Sequence, residues 1–165
     1  MHPEIKTLLY EAEDHYLTSE EVETFKHCAS SLAQRLETYE LLRDQELAIF
    51  QPVADQLLEA FPENKQETLE RALKHWLSVL RYCAMAMLIN NQEFLQRRLL
   101  EWLTDLVRVH QTQAIEMTVY QLLQIRLREL LSEQQLALVQ PFLVQAEDNL
   151  LRTDDLAELQ TTLQL

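Results

Sequence analysis

The sequence contains no glycine and only four prolines among 165 residues. Glycine tolerates positive φ angles and lets the backbone approach a ligand closely. Phosphate-binding loops, dinucleotide-binding turns and the sharp turn that carries a hydrolase nucleophile all depend on it. The absence of glycine excludes these classes of site. No nucleophile is paired with a general base elsewhere in the sequence, so we expect a protein that is not an enzyme.

Cysteines and long apolar runs are also scarce. Cys28 and Cys83 lie far apart in helical patterns, which favours two buried, reduced thiols over a disulfide. The longest apolar run, 83–89, is far shorter than the ~20 residues of a membrane span, and no basic segment followed by an apolar one opens the chain. We therefore expect a soluble, cytoplasmic protein without membrane insertion.

The formal net charge is -13, and it is unevenly distributed. Residues 1–70 and 131–165 are acidic, whereas residues 71–130 have more basic than acidic side chains. Acidic flanks repel nucleic acid and anionic lipid, so neither is an expected partner. The basic middle is expected to face an acidic partner or the acidic flanks of the same chain.

Leucine occurs 34 times, against 13 valines and isoleucines together, and this composition predicts an all-helical fold. Capping boxes are predicted at Thr18 with Glu21 and at Ser132 with Gln135, and the pair Asn90-Asn91 is predicted to end the central helix in a left-handed conformation. Pro52 is predicted to interrupt the helical pattern, and Pro62 is predicted to end a short helix. The first predicted helix runs to about Leu17, and the second follows the Thr18 cap and continues through Leu42 to the break at Pro52. The other predicted helices are 53–61, 66–89, 92–109, 113–131, 133–151 and 153–163.

Metal-ligand spacings are absent around the histidines, so no metal site is expected. His75 and Trp76, on the most apolar helix, allow an alternative: a globin-like sensor that binds haem, bilin or another apolar ligand noncovalently, with Arg71 on a propionate. Large aromatic residues and histidines at helical spacing more often belong to a core, and we prefer that interpretation.

Three segments carry a resemblance to a known family. The segment 13–22, EDHYLTSEEV, resembles the turn between the first helices of phycobiliproteins, the light-harvesting subunits of cyanobacteria and red algae. Residues 32–62 continue in the same register, and the segment 71–83, RALKHWLSVLRYC, resembles the central segment that carries the pigment. The resemblance implies a globin-like fold.

The central segment departs from the family at the pigment-binding positions. When Tyr82 and Cys83 are placed on the family's closing pair, the bilin-attaching cysteine falls on Leu69 and the propionate-binding arginine on Arg71. The aspartate that binds the pyrrole nitrogens falls on Ala72. A thioether needs sulfur and the nitrogens need a carboxylate, so the resemblance implies a vestigial bilin cleft and no cofactor.

The resemblance also implies a function in protein–protein interaction. We expect a single domain in three parts: a dimerisation-type helix (1–17), a globin-like core (18–131) and a C-terminal helical extension beyond the usual family length (132–165). The expected role is assembly, remodelling or regulation of the phycobilisome. The expected state is a homodimer, and the expected place is the cytoplasmic face of the thylakoid. The expected interface residues are Leu8, Leu9, Tyr16 and Leu17.

Overall fold

The computed structural model describes residues 3–151, and this part of the chain contains helices and no strands. None of these helices is long and apolar enough to cross a membrane. The predicted all-α class is confirmed. The helices are α1 (Pro3–Glu11), α2 (Ser19–Asp44), α3 (Glu46–Ala60), α4 (Gln66–Leu88), α5 (Gln92–Leu95), a π turn (Gln96–Leu100), α6 (Glu101–His110), α7 (Gln113–Leu130) and α8 (Glu133–Leu150). The predicted helix at 153–163 lies outside the described residues.

The predicted helix ends are confirmed at three places. Thr18 and Ser132 each form a capping box, with Glu21 and Gln135 as the respective partners. The Thr18 amide donates to the Glu21 carboxylate at 2.6 Å, and this bond lowers the pKa of Glu21. Asn90 adopts φ 49° after α4, as predicted for a helix end without glycine.

The first helix is shorter than predicted, since it ends at Glu11 and not near Leu17. Glu13 and Asp14 follow that end, and the last turn of α1 has no basic residue. Carboxylates are unfavourable near the C-terminus of a helix, where carbonyl groups are unpaired. In addition, Thr18 must be extended to cap α2, so the chain leaves the helical conformation before it.

Pro52 was predicted to interrupt a helix, and this prediction is wrong: the break is at Gln45, and Pro52 lies inside α3. Proline has no N–H, so the carbonyl of Ala48, four residues earlier, loses its normal helical donor. Arg126 of α7 replaces that donor, with Nε 3.0 Å from the Ala48 carbonyl oxygen. The contact between α3 and α7 thus allows α3 to continue through the proline.

The predicted continuous helix 92–109 contains the π turn Gln96–Leu100. A π turn includes one residue more than an α-helical turn. Leu99 and Leu100 are both fully buried, together with Leu95 before them. The extra residue therefore lets two consecutive leucines face the core.

The core is organised around α4, which packs against α2, α3, α5, α7 and α8. Ten of the 23 residues of α4 are buried. α8 belongs to the same core, because Val139, Phe142, Leu143 and Ala146 are buried in it. The predicted C-terminal extension therefore begins with a core helix and not with an appended layer.

Two adjacent leucines of α3 test this arrangement. Leu57 is fully buried and Leu58 is 50% exposed. We expect Leu57→Ala to lower the free energy of unfolding by about 2–5 kcal/mol, because it removes buried methyl groups and leaves a cavity. Leu58→Ala should lower the free energy of unfolding much less, because half of that side chain is already exposed to solvent. Urea denaturation followed by circular dichroism measures both variants, and equal losses would contradict the orientation of α3.

Candidate functional site

The positions that the resemblance assigned to a vestigial bilin cleft do not share one environment. Leu69 is 2% exposed and Ala72 is 1% exposed, and both belong to the hydrophobic core. Arg71 lies on a different side of α4, where its Nη1 is 3.2 Å from His110 Nδ1 and its Nη2 is 3.7 Å from a Glu67 carboxylate oxygen. The side chains at the two replaced positions are therefore packed into the protein interior.

His75 forms a buried polar contact between α4 and α7. Its Nδ1 is 2.7 Å from Oε1 of Glu116, and Glu116 is only 1% exposed. The Thr112 hydroxyl lies 3.4 Å from the same oxygen, whereas Glu116 Oε2 has no hydrogen-bond partner among the described residues. The Glu116 carboxylate therefore depends chiefly on His75 for compensation of its burial.

Trp76 is fully buried and packs against Tyr120 of α7, with ring centroids 5.1 Å apart and planes tilted by 41°. The Tyr120 hydroxyl donates to a Glu147 carboxylate oxygen of α8 at 2.9 Å. Burial, reinforced by Glu147, raises the pKa of Tyr120. These contacts connect α4, α7 and α8. Trp76 therefore contributes to the packing of these helices.

The residues of the alternative sensor site were compared with three surface cavities of the described part of the chain. Three surface cavities of about 270, 440 and 500 Å³ occur in the described part of the chain. None of them is lined by the five residues assigned to the cleft or the sensor site, namely Leu69, Arg71, Ala72, His75 and Trp76. Leu69, Ala72 and Trp76 are instead buried side chains of the hydrophobic core.

Both thiols are poor nucleophiles. Cys83 is fully buried, and burial strongly raises its pKa. The Cys28 thiol donates a hydrogen bond to a Glu4 carboxylate oxygen at 3.0 Å. That hydrogen bond, followed by burial, raises the pKa of Cys28. Because the thiolate is the reactive form, neither cysteine is prepared to attack a pigment.

Residues 3–151 contain no group of three or more His, Cys, Asp or Glu side chains that could hold a metal ion.

The residues expected at an interface differ in their exposure. Leu8 is 6% exposed and lies in α1, which packs against α2, so its side chain is buried within the chain. Leu9 is 50% exposed, Leu17 is partly exposed, and Tyr16, in the turn after α1, is fully exposed. Leu8 is thus not available to a partner, whereas the other three are accessible.

The exposed apolar surface is larger than these residues indicated. Tyr10 is 61% exposed and Phe25, in the first half of α2, is 43% exposed. Only three of the 26 residues of α2 are buried. The apolar spacing of Phe25, Leu32 and Leu36 marks one helical face, but sequence alone does not say whether such a face meets the core or solvent. We use the name N-terminal face for the large exposed apolar side chains of α1, the turn after it and the first half of α2, namely Leu9, Tyr10, Tyr16 and Phe25.

Comparison with known proteins identifies a family. A model described as phycobilisome protein matches residues 8–153, which confirms the resemblance seen in the sequence. The match extends through α8, which sequence analysis placed beyond the usual family length. No curated protein matches the chain.

We expect the protein to remain colourless when it is produced together with bilin-synthesis enzymes. Leu69 has no sulfur, and Cys28 and Cys83 have raised pKa values. Denaturing gels stained with zinc should show no fluorescence, and mass spectrometry should give the unmodified mass. A bilin adduct on either cysteine would contradict this expectation.

The His75–Glu116 contact should make a large contribution to stability. We expect His75→Ala to lower the free energy of unfolding by about 3–5 kcal/mol, because it leaves a buried carboxylate uncompensated. Lys26→Ala removes an exposed ion pair with Glu23 and serves as the control, with no measurable change expected. Urea denaturation at pH 7 compares the two. A His75→Ala loss no larger than that of the control would contradict the assignment.

Proposed function

The chain belongs to the phycobilisome protein family, and from this premise we propose that it acts without a covalent bilin, by binding other phycobilisome components. Family membership supports a phycobilisome-related role and a globin-like all-α fold. The finer assignment, to assembly, remodelling or regulation of the antenna, is our proposal.

The side chains at the pigment-attachment positions support the first part of the proposal. Leu69 and Ala72 are apolar and packed in the core, so they neither attach nor orient a tetrapyrrole. Arg71 interacts with His110 and Glu67 instead. A subunit of this kind occupies a place among pigmented subunits without absorbing visible light.

The N-terminal face is the observation that carries the second part. Leu9, Tyr10, Tyr16 and Phe25 are large apolar side chains, each at least 43% exposed, on α1, the following turn and the first half of α2. Tyrosine and phenylalanine are enriched where proteins bind one another, because their rings bury much area at low cost in conformational entropy. A face with several such residues is well suited to contact another helical subunit.

We further propose that the partner is a second copy of the chain or a related phycobilisome subunit, and that binding takes place where the antenna meets the cytoplasmic face of the thylakoid. The acidic N-terminal part of the chain, with 16 acidic and five basic residues in 1–70, favours a partner whose contact surface is basic around an apolar centre.

Phe25→Asp tests this proposal. A carboxylate at the centre of an apolar contact loses its hydration without a counter-charge, so we expect at least a tenfold weaker association. Wild-type protein mixed with isolated phycobilisomes should co-sediment with them in a sucrose gradient, and the variant should not. Sedimentation velocity of the purified chain measures self-association in parallel.

Leu47→Asp is the matched control for Phe25→Asp. Leu47 is 75% exposed in the first turn of α3, just after the C-terminal end of α2, whereas Phe25 lies in the first half of α2, so its substitution adds the same charge at an exposed leucine. We expect its co-sedimentation to be unchanged. Equal losses in both variants, or co-sedimentation that Phe25→Asp leaves intact, would contradict the proposed surface.

A further inference from the structure

A cavity of about 440 Å³ lies where α1, α2 and the end of α4 meet. Its walls are almost entirely apolar, and Leu32 and Leu36, which are 47% and 46% exposed, leave it open to solvent on one side. Small-molecule sites typically occupy cavities of about 300–1,000 Å³ with apolar walls and a few placed polar groups. The seven lining residues are Ile5, Cys28, Leu32, Arg35, Leu36, Leu88 and Ile89.

Arg35 is the cationic group at this cavity. Its Nε donates to the Ser31 hydroxyl at 3.1 Å and its Nη1 donates to the Met87 carbonyl at 2.6 Å. Within residues 3–151, no carboxylate lies within ion-pair distance of the Arg35 guanidinium, although the chain as a whole is strongly acidic. Burial lowers the pKa of Arg35, which means that the charge is partly desolvated, and no carboxylate offsets this effect.

The two hydrogen bonds of Arg35 also fix its position. They hold the guanidinium against α2 and against the last turn of α4, and they leave Nη2 without a partner among the described residues. A preorganised guanidinium binds a carboxylate with charge-assisted hydrogen bonds and loses little side-chain entropy in doing so. The cavity thus combines an apolar chamber with one positioned anion-binding group.

A carboxylate lies beside the cavity on the Cys28 side. Glu4 accepts the hydrogen bond from Cys28, which is seven residues, about two helical turns, before Arg35 on α2. A carboxylate ligand is therefore repelled from the Cys28 side and attracted to the Arg35 side. An apolar body extending from Arg35 towards Ile5 and Cys28 satisfies both conditions.

We propose that this cavity is a binding site for an apolar monocarboxylate, a molecule with a long hydrocarbon body and one carboxylate head, whose head pairs with Arg35. The site is separate from the position that the family uses for its pigment. It also goes beyond the proposed function, because neither Phe25 nor Tyr16 lines it.

Displacement of a fluorescent fatty acid, 11-(dansylamino)undecanoic acid, tests the proposal on the full-length chain. Dodecanoate and 1-dodecanol have the same hydrocarbon length and differ in the head group, so both are used as competitors below their aggregation concentrations. We expect dodecanoate to bind the wild-type chain at least tenfold more tightly than dodecanol.

Two substitutions assign the two parts of the site. Arg35→Gln should bring the ratio of dodecanoate to dodecanol affinity close to one, with Arg43→Gln, an exposed arginine of the same helix, as a control that keeps the ratio. Leu36→Trp should fill the cavity and weaken both competitors at least tenfold. Leu58→Trp, at a residue of similar exposure on α3, should leave both unchanged. The ratio of dodecanoate to dodecanol affinity is measured on one variant at a time, so a general loss of stability affects both affinities and leaves the ratio unchanged.

Three results would overturn the proposal. The first is no displacement of the probe by dodecanoate from the wild-type chain. The second is an acid preference that Arg35→Gln leaves intact, or an equal effect of Leu36→Trp and Leu58→Trp, which would indicate adventitious surface binding. The third is self-association of the wild-type chain without dodecanoate binding, together with a monomeric Leu36→Trp variant. This result would assign the cavity to a second copy of the chain.

Discussion

The burial of α4 among five other helices is the constraint on which the rest of the structure depends. Its apolar stripe includes Leu69, Ala72 and Trp76, so two of the three positions that the resemblance assigns to pigment binding are part of the same surface that holds the domain together, whereas Arg71 is not. Leucine and alanine at two of these positions extend the stripe towards the start of the helix. The two replacements that the resemblance implies are therefore also the residues that supply core contacts.

The interior also contains polar contacts that connect the helices around α4. His75 reaches Glu116 of α7, and Tyr120 of α7 reaches Glu147 of α8. On the surface, Arg81 of α4 forms two hydrogen bonds with the Glu46 carboxylate at the start of α3 and lowers its pKa. The basic middle of the sequence thus meets the acidic N-terminal part of the same chain at this point. Directional contacts of this kind specify how helices are oriented, which apolar packing alone does less well.

The sequence predicted the local features well and the tertiary ones poorly. Capping boxes and the left-handed Asn90 depend on residues three or four apart, so their chemistry is visible in the sequence. Gln111, which also has a positive φ of 51°, was not predicted, because glutamine is not a usual residue for that conformation. The His75–Glu116 contact joins residues that are 41 positions apart in the sequence, and no local sequence pattern predicts it. The exposure of the apolar face of α2 is likewise a property of the whole fold, and periodicity shows only that such a face exists.

The hydrogen bond from Arg126 to the Ala48 carbonyl explains how a proline is tolerated inside α3, and it also has a mechanical consequence. Apolar contacts between two helices are not directional, so they specify the axial position of one helix on the other less strictly than a hydrogen bond does. Translation of α7 along α3 by one helical rise would break the hydrogen bond from Arg126 and leave the Ala48 carbonyl oxygen without that donor. Because Pro52 leaves the Ala48 carbonyl without a helical donor, and Arg126 supplies the donor, the proline helps to fix the position of α7 along α3.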